Sequence, residues 1–305
     1  MLRTILFLLA TLIALPFAAY QWDQPLSPEQ SHTLSLLFRI MLGVALVSFL
    51  VSEMTGNCSQ VDKLWSIIPV VYVWVVAHAS DWSPRLVLMA ALVTLWAARL
   101  TFNFGRRGGY SLLPWRGEED YRWAVLRQNP LLKGRFRWGL FNLFFISLYQ
   151  NTLILLFTLP TIVAWQSTDQ SLNATDLVPA ALFLLFLCLE TIADQQQYDF
   201  QTEKYRRKNA GEPLTGDYLL GFRTSGLWGR VRHPNYTAEQ AIWLSFYLFS
   251  ALATGRWLNW SLAGGILLVL LFLGSSDFSE KISAGKYPGY SEYQRRVPRF
   301  LPKIW

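Results

Sequence analysis

Charge is scarce in this chain: Asp, Glu, Lys and Arg together make up 15% of its 305 residues, against roughly a quarter in a soluble domain. Cysteine is scarcer still. With only Cys58 and Cys188, a disulfide-stapled secreted scaffold is excluded, and no thiolate set exists for a zinc ribbon or an iron–sulfur cluster. The three histidines, His32, His78 and His233, are too scattered to ligate one metal, so no metal site is expected. Also missing are a G-x-G-x-x-G turn after a strand, a P-loop, an H-E-x-x-H helix and a G-x-S-x-G elbow, and with them the enzyme classes built on those motifs. No internal repeat or low-complexity segment is visible.

What is present is apolar. Hydrophobic residues reach 52%, aromatics 15% with 14 Trp, and mean hydropathy is +0.25, which excludes intrinsic disorder and suits a chain that dresses two membrane interfaces. The net charge of +7 fits membrane orientation better than nucleic acid, and no nucleic-acid partner is expected. A helix crosses the hydrocarbon core with about 20 mostly apolar residues. Eight stretches approach that standard: Thr4–Trp22, Gln30–Ser52, Leu64–Ser80, Leu86–Gly105, Trp138–Thr168, Leu177–Ala193, Gln240–Gly255 and Trp257–Ser276, the last two turning around Gly255 and Arg256. The first is read as a retained helix in preference to a signal peptide, which Arg3 and Phe17-Ala18-Ala19 would otherwise suggest.

The connections carry the orientation. Residues 105–137, 194–234 and the tail hold 21 of the 27 Lys and Arg, whereas the connections 23–29, 81–85, 169–176 and 255–256 together hold just Arg85 and Arg256. With eight spans the three basic segments and both termini share one side, which the positive-inside rule makes the cytoplasm. The expected fold is therefore all-α: a polytopic membrane helix bundle of about eight transmembrane helices with cytoplasmic N- and C-termini. It forms one integral-membrane domain over 1–305, with N-terminal spans in 1–105 and further spans in 136–305. The expected location is the bacterial inner membrane, or the endoplasmic reticulum in a eukaryote.

Ionisable groups in or beside spans are costly and usually face a polar cavity. Asp62, Lys63, Arg99, Glu190, Asp194 and Glu239 all fall at cytoplasmic ends, where they are expected to line one chamber; snorkelling to headgroups accounts for Lys63 but suits short acids poorly. Glu190, Asp194 and Gln197, at i, i+4 and i+7, share a helical face, as a solvated helix end would also produce. The densest constellation runs from Gly226 to Glu239. Pro234 suits a first helical turn, and Arg230 and Arg232 would converge there on a phosphate at the helix N-terminus. Asn235 and Glu239 share one face, suited to an amide or a ribose hydroxyl. A basic anchor on anionic lipid would explain the arginines but not that pair. In the tail, Tyr287, Tyr290 and Tyr293 beside Lys281 and Lys286 fit equally a wall of a cofactor pocket or an interfacial aromatic belt.

At these residues the chain resembles the steroid 5-alpha-reductase superfamily. The likeness rests on Gly226-Leu227-Trp228, Pro234-Asn235-Tyr236 with Glu239 and Trp243, and Lys286-Tyr287 followed by Tyr290, Tyr293 and Val297-Pro298 to Pro302. The fuller Arg232-His233-Pro234-Asn235-Tyr236 form is similar to the bacterial branch, as are Asn57-x-Ser59-x-Val61-Asp62-x-x-Trp65 and Glu190-Thr191-Ile192-Ala193-Asp194-x-Gln196 running to Phe200. The likeness is most specific over 190–302. It implies an NADPH-dependent reductase of a carbon–carbon double bond in a lipophilic substrate, a steroid enone or an isoprenoid, with the bilayer as the other partner. It also implies cofactor contacts at Glu190, Asp194, Arg230, Arg232, His233, Asn235, Tyr236, Glu239, Trp243 and Tyr287. The position seven after Asp194, usually basic in that family, is Gln201 here, and Lys204 one turn later is expected to take over its phosphate contact. The animal enzymes draw a catalytic Glu and Tyr from early spans; Asp62 is taken as the acid here, with Tyr72 as its partner.

Reduction of an enone needs a hydride at the beta carbon and a hydrogen-bonded oxyanion, both favoured where water is excluded. Burial would have to raise the Asp62 pKa for it to hold a proton. Arg-His-Pro-x-Tyr and Val-Pro-Arg-x-x-Pro are also similar to the isoprenylcysteine carboxyl methyltransferases, which bind S-adenosylmethionine, and this is the alternative function. A transport protein is disfavoured, because no charged residues continue a pathway through the outer halves of the spans.

Overall fold

The computed structural model describes residues 2–111, 113 and 117–303. Arg116, one of the basic residues of the first loop, and the Arg3 side chain lie outside the described residues. Every regular element among the described residues is helical. In order these are α1 Leu2–Gln21, α2 Pro28–Thr55, α3 Gln60–Leu64, α4 Ile68–Ala79, α5 Pro84–Gly105 and α6 Tyr121–Arg127. Next, α7 Arg135–Phe141 runs through a π-helical segment Asn142–Tyr149 into α8 Gln150–Thr158 and α9 Pro160–Ala164. The chain ends with α10 Ala174–Asn209, α11 Asp217–Leu220, a 3-10 turn Gly226–Gly229, α12 Pro234–Thr254, α13 Leu262–Lys286 and α14 Tyr290–Arg296.

Pro28–Thr55, Pro84–Gly105, Arg135–Ala164, Ala174–Asn209 and Leu262–Lys286 are long and apolar enough to cross a membrane, while Ala10–Gln21 and Ile68–Ala79 are shorter apolar helices. Each of the eight apolar stretches lies on a helix, but two boundaries move. The last span begins at Leu262 rather than Trp257, because residues 255–261 form the connection instead of a turn at Gly255-Arg256 alone. The sixth continues far beyond Ala193, to Asn209. Its polar half is suited to remain helical, because Glu203 pairs with Arg206 and Arg207 at i+3 and i+4, both at 2.7 Å.

Local chemistry sets the helix starts. At α2, Ser27 Oγ accepts from Gln30 N (3.2 Å) and Gln30 Oε1 accepts from Ser27 N (3.0 Å), a reciprocal capping box with Pro28 in the first turn. In the π-helical segment the i→i+5 bonding widens the turn. Phe141, Phe145 and Tyr149 then stack successively at 5.2 and 5.3 Å.

The chain divides into two compact units, Met1–Ala181 with Leu244–Leu270, and Leu182–Trp243 with Leu271–Trp305. In the first, α4 packs on α5, and α2 packs on the π-helical segment and α8. The α2 face turned inward is Leu37, Met41, Ala45, Ser48 and Ser52. Gly264 meets the α8 backbone so closely that a Cβ there would lie 2.4 Å from Leu156 O, the small-residue contact common between membrane helices.

The four connections poor in basic residues meet at one end of this unit. Arg256 pairs with Asp23 and donates to Gln166, and Trp260 N donates to Asp23 at 2.7 Å. Ser83 Oγ donates to Gln170, and Arg85 donates to the carbonyls of Asp169 and Ser171 and to Asp176 at 2.8 Å. Arg85 and Asp176 are both fully buried, so each depends on the other for compensation of its charge.

In the second unit, Phe222, Tyr290, Tyr293 and Val297 form an apolar core. Tyr290 and Tyr293 are buried against Phe222, with Tyr287 partly buried beside them, and this packing holds α14 in place. The chain after α14 lies along the start of α12, where Arg232 N donates to Pro298 O (2.9 Å), His233 N to Arg299 O (3.2 Å) and Thr237 Oγ1 to Phe300 O (3.0 Å).

Candidate functional site

The second unit gathers the acids and amides of the C-terminal motifs. Glu190 and Asp194 lie one helical turn apart on α10, and Glu239 lies one turn beyond Asn235 on α12; all three acids are buried. Asn235 Nδ2 donates to Asp194 Oδ1 at 3.4 Å, joining the two helices. Trp243 Nε1 donates to Glu239 Oε1 at 3.0 Å and fixes that carboxylate. Asn235 Oδ1 and Gln197 Oε1 are shielded from solvent and accept no hydrogen bond from the described residues. A buried carbonyl left without a donor is costly unless a ligand or water supplies one. The Gly226-Leu227-Trp228 motif braces this wall: Leu227 N donates to Gln196 Oε1 (3.0 Å) and Trp228 Nε1 to Ala193 O (3.1 Å).

The arginine pair does not converge on a helix N-terminus. Arg232 is buried and its guanidinium bonds Glu280 (2.7 and 3.1 Å) and the carbonyls of Gln294 and Val297. Arg230 is exposed, which leaves it as the available charge of the pair. The reason is Glu280, a buried acid on α13 whose charge must be compensated; it also contacts His233 Nε2 (2.8 Å) and accepts from Gln294 (2.8 Å). His233 stacks on Tyr236 at 5.2 Å, and Tyr236 on Phe272 at 4.7 Å. His233 and Tyr236 therefore belong to the same lock. Gln201 is half-buried on α10, and no described contact joins it to Asp194. Lys204 Nζ donates to Gly221 O at 3.1 Å, and the Tyr287 ring lies against Gly221.

In the first unit the Asn57-x-Ser59-x-Val61-Asp62 motif clasps the loop before α6. Asn57 Nδ2 donates to Gly117 O (3.3 Å), and Ser59 Oγ accepts from Asp120 N (2.9 Å) and Trp123 Nε1 (3.2 Å). Trp123 Nε1 also reaches Asp62 Oδ2 at 3.4 Å. Cys58 N donates to Glu119 (2.7 Å), whose carboxylate Arg127 grips with two nitrogens at 2.7 and 2.9 Å. Sequence reasoning missed Glu119, Asp120 and Trp123, which lie about 60 residues from their partners.

Burial pushes the Asp62 carboxyl above its ordinary value of 3.8, with Arg122 pulling the other way. Burial also opposes the charge of Asp120, but Arg122, bonded twice at 2.8 Å, outweighs it and holds that carboxyl down. Over the window above pH 3.8 the folded chain keeps an Asp62 proton that the unfolded chain releases, so this group lowers stability as pH rises. Asp62→Asn mimics the protonated form. Its melting temperature in detergent should match the parent at acid pH and exceed it progressively towards neutral; a constant offset would remove the raised pKa.

Tyr72 is fully buried, as is Tyr149, and neither hydroxyl bonds a described residue. No described contact joins Tyr72 to Asp62. On α2, Ser48 and Ser52 add two more shielded hydroxyls of the same kind. Beside them a hydrogen-bonded track runs from Glu53 to Asn142 Nδ2 (2.8 Å), from Ser147 Oγ to Asn142 Oδ1 (3.4 Å) and from Asn151 Nδ2 to Ser147 O (2.7 Å). This polar seam inside the first unit was not anticipated, although Gln150 and Asn151 interrupt the apolar run in the sequence.

Comparison with known proteins agrees with the extent of these motifs. The chain is 39% identical over 280 residues to the uncharacterized protein C594.04c of Schizosaccharomyces pombe, covering 88% of this chain and 79% of that protein. No solved structure matches it. Residues 48–297 match the family described as a protein of unknown function, DUF1295, a range that takes in the Asn57–Asp62 clasp, the Asp194–Asn235 pair and the Arg232–Glu280 lock. The chain belongs to the DUF1295 family.

Proposed function

We propose that this chain is a membrane-embedded, NADPH-dependent reductase of a carbon–carbon double bond in a lipophilic substrate of the steroid-enone or isoprenoid kind, within the steroid 5-alpha-reductase superfamily. It crosses the membrane eight times with both termini cytoplasmic, in a bacterial inner membrane or an endoplasmic reticulum. The observation that carries the reading is the Asp194–Asn235 contact between buried Glu190 and Glu239, with the Asn235 carbonyl unpartnered.

These groups fit the cofactor chemically. A nicotinamide carboxamide and ribose hydroxyls are donors, and this wall of carboxylates and amide oxygens accepts. Asn235 and Glu239 would orient the carboxamide, Asp194 and Glu190 would take the ribose, and Trp243 holds Glu239 in place. When bound, NADPH supplies the hydride. Asp62, with its carboxyl pushed upward by burial, retains a proton, and the Tyr72 hydroxyl is available to donate to a developing oxyanion.

Thermal stability of the detergent-purified protein tests this. NADPH at about 100 times its Kd should add about 2.7 kcal/mol, whereas S-adenosylmethionine should add nothing. A shift with S-adenosylmethionine alone would replace the reductase with a methyltransferase.

A further inference from the structure

We infer that the seam between α2 and the π-helical segment is a hydrated inlet, through which water and its protons reach the Tyr149 hydroxyl inside the first unit. Two contacts set the register of this seam. Glu53 Oε1 accepts from Asn142 Nδ2 at 2.8 Å, and further back on α2 the Met41 sulfur accepts from Thr152 Oγ1 at 3.6 Å. The two helices therefore run antiparallel. Between these contacts α2 contributes Ser48 and Ser52 from its buried face, and the rod contributes Ser147, Tyr149 and Asn151. The hydroxyls here behave unlike others in the long apolar helices. Thr55, Thr94, Thr191 and Thr254 each donate to the carbonyl four residues earlier at 2.7 Å. Ser48, Ser52 and Tyr149 are buried yet bond no described residue, and the Asn151 amide oxygen accepts from none. Groups that both donate and accept, beside one acceptor, suit water, which makes about three bonds to otherwise unmatched polar groups. The rod is itself deformed at this place, being π-helical over Asn142–Tyr149, a rare distortion that is frequently functional.

The seam has one wet end. A helix of 28 residues is about 42 Å long, more than the roughly 30 Å of a hydrocarbon core, so the last turn of α2 emerges from it. Glu53 lies in that turn and is exposed, while Ser52 beside it and Ser48 one turn deeper are buried. On the rod the polar groups run from Asn142 to Asn151, on the order of 10 Å into the unit. Polar side chains at such depth are costly and characteristically line water-filled paths. The carboxylate at the mouth exchanges protons with solvent. Each water or hydroxyl beyond it takes one proton and releases another, so the charge moves inward and every oxygen ends with as many protons as before. The inlet stands apart from the reductase reading, and only its use rests on that reading. Reduction breaks the π bond of the substrate and forms two C–H bonds, one with the hydride of NADPH and one with a proton that solvent must supply.

The test uses full-length protein in phosphatidylcholine vesicles, in a Cys58→Ser/Cys188→Ser background. Single cysteines enter as Ser52→Cys, Ser48→Cys and Asn151→Cys, with Leu46→Cys on the exposed apolar side of α2 as the reference. The probe is the silver ion in nitrate buffer, which forms an S–Ag bond and releases the thiol proton to water. Thiol left unreacted is counted with a maleimide after denaturation. The inlet is supported if each of the three reacts at least about tenfold faster than Leu46→Cys, because a thiolate forms only where water reaches it, and if adding Ser52→Leu slows Ser48→Cys by a similar factor. It is overturned if Ser48→Cys or Asn151→Cys reacts as slowly as Leu46→Cys, or if Ser52→Leu leaves the Ser48→Cys rate unchanged. Neither NADPH nor a substrate enters the assay, so its failure and that of the reductase reading are told apart.

Discussion

Asn235→Ala should weaken NADPH binding by about 10- to 100-fold while the protein remains folded. The residue offers a carbonyl oxygen that no donor among the described residues uses, and an amide nitrogen 3.4 Å from a buried carboxylate. A hydrogen bond in which one partner is charged contributes about 1.5–3 kcal/mol, and each 1.4 kcal/mol is about tenfold in affinity. Truncation removes the carboxamide acceptor and the contact to Asp194 at the same time, so the effect should reach the upper part of that range. The measurement is a titration of intrinsic tryptophan fluorescence with NADPH, paired with the melting temperature of the unliganded variant. Unchanged affinity in a folded variant would detach Asn235 from the cofactor.

The second large effect belongs to Glu280. Its carboxylate is the partner of Arg232, touches His233 and lies 3.9 Å from Arg299. Glu280→Ala leaves the buried Arg232 guanidinium without its counter-charge, a situation that costs about 3–5 kcal/mol. The loss should be local first, because Arg232 also holds the carbonyls of Gln294 and Val297. Limited proteolysis is therefore expected to cut the variant at the end of α14, at Arg295 or Arg296, or just beyond it at Arg299, before the remainder unfolds. A paired Arg232→Met/Glu280→Leu variant should recover most of the stability, since well-packed apolar replacements of a buried ion pair are often neutral. An unaltered melting temperature in Glu280→Ala would show that the ion pair carries little of the strap.

Much of the frame was legible because apolar runs of membrane length have few alternatives. The start of α2 lies two residues before the apolar run from Gln30, because Ser27, Pro28 and Gln30 build its first turn. The unforeseen parts are those where one distant residue decides the role of another. Arg232 reads as a phosphate ligand until Glu280, 48 positions later, is seen to hold it. Tyr290 and Tyr293 read equally as a pocket wall or an interfacial belt, and their packing on Phe222, about 70 positions earlier, has no sign in the sequence. Ser59 stands in the sequence only as one position of a motif, and its use as a fastening point for Asp120 and Trp123 appears in the fold alone. Of the candidate set, Asp194 with Asn235 and Glu239 with Trp243 were brought together as adjacent functional groups, while Arg232, His233 and Tyr236 were brought into a lock. The π-helical segment had no signal, since a one-residue change of helical phase leaves composition unaltered.

That segment bears on how the chain enters its bilayer. In the apolar 18-residue stretch of Arg135–Ala164, 61% of the residues are buried within the protein, against 22% in that of Pro28–Thr55, and the rod carries Asn142, Ser147, Gln150 and Asn151 at its buried side. Alone in lipid those amides and hydroxyls would face hydrocarbon. Pro28–Thr55, already synthesised, presents Glu53 to receive Asn142. The polar side of this rod thus depends on α2 for its compensation, and the two helices are stable in a bilayer as a pair rather than singly.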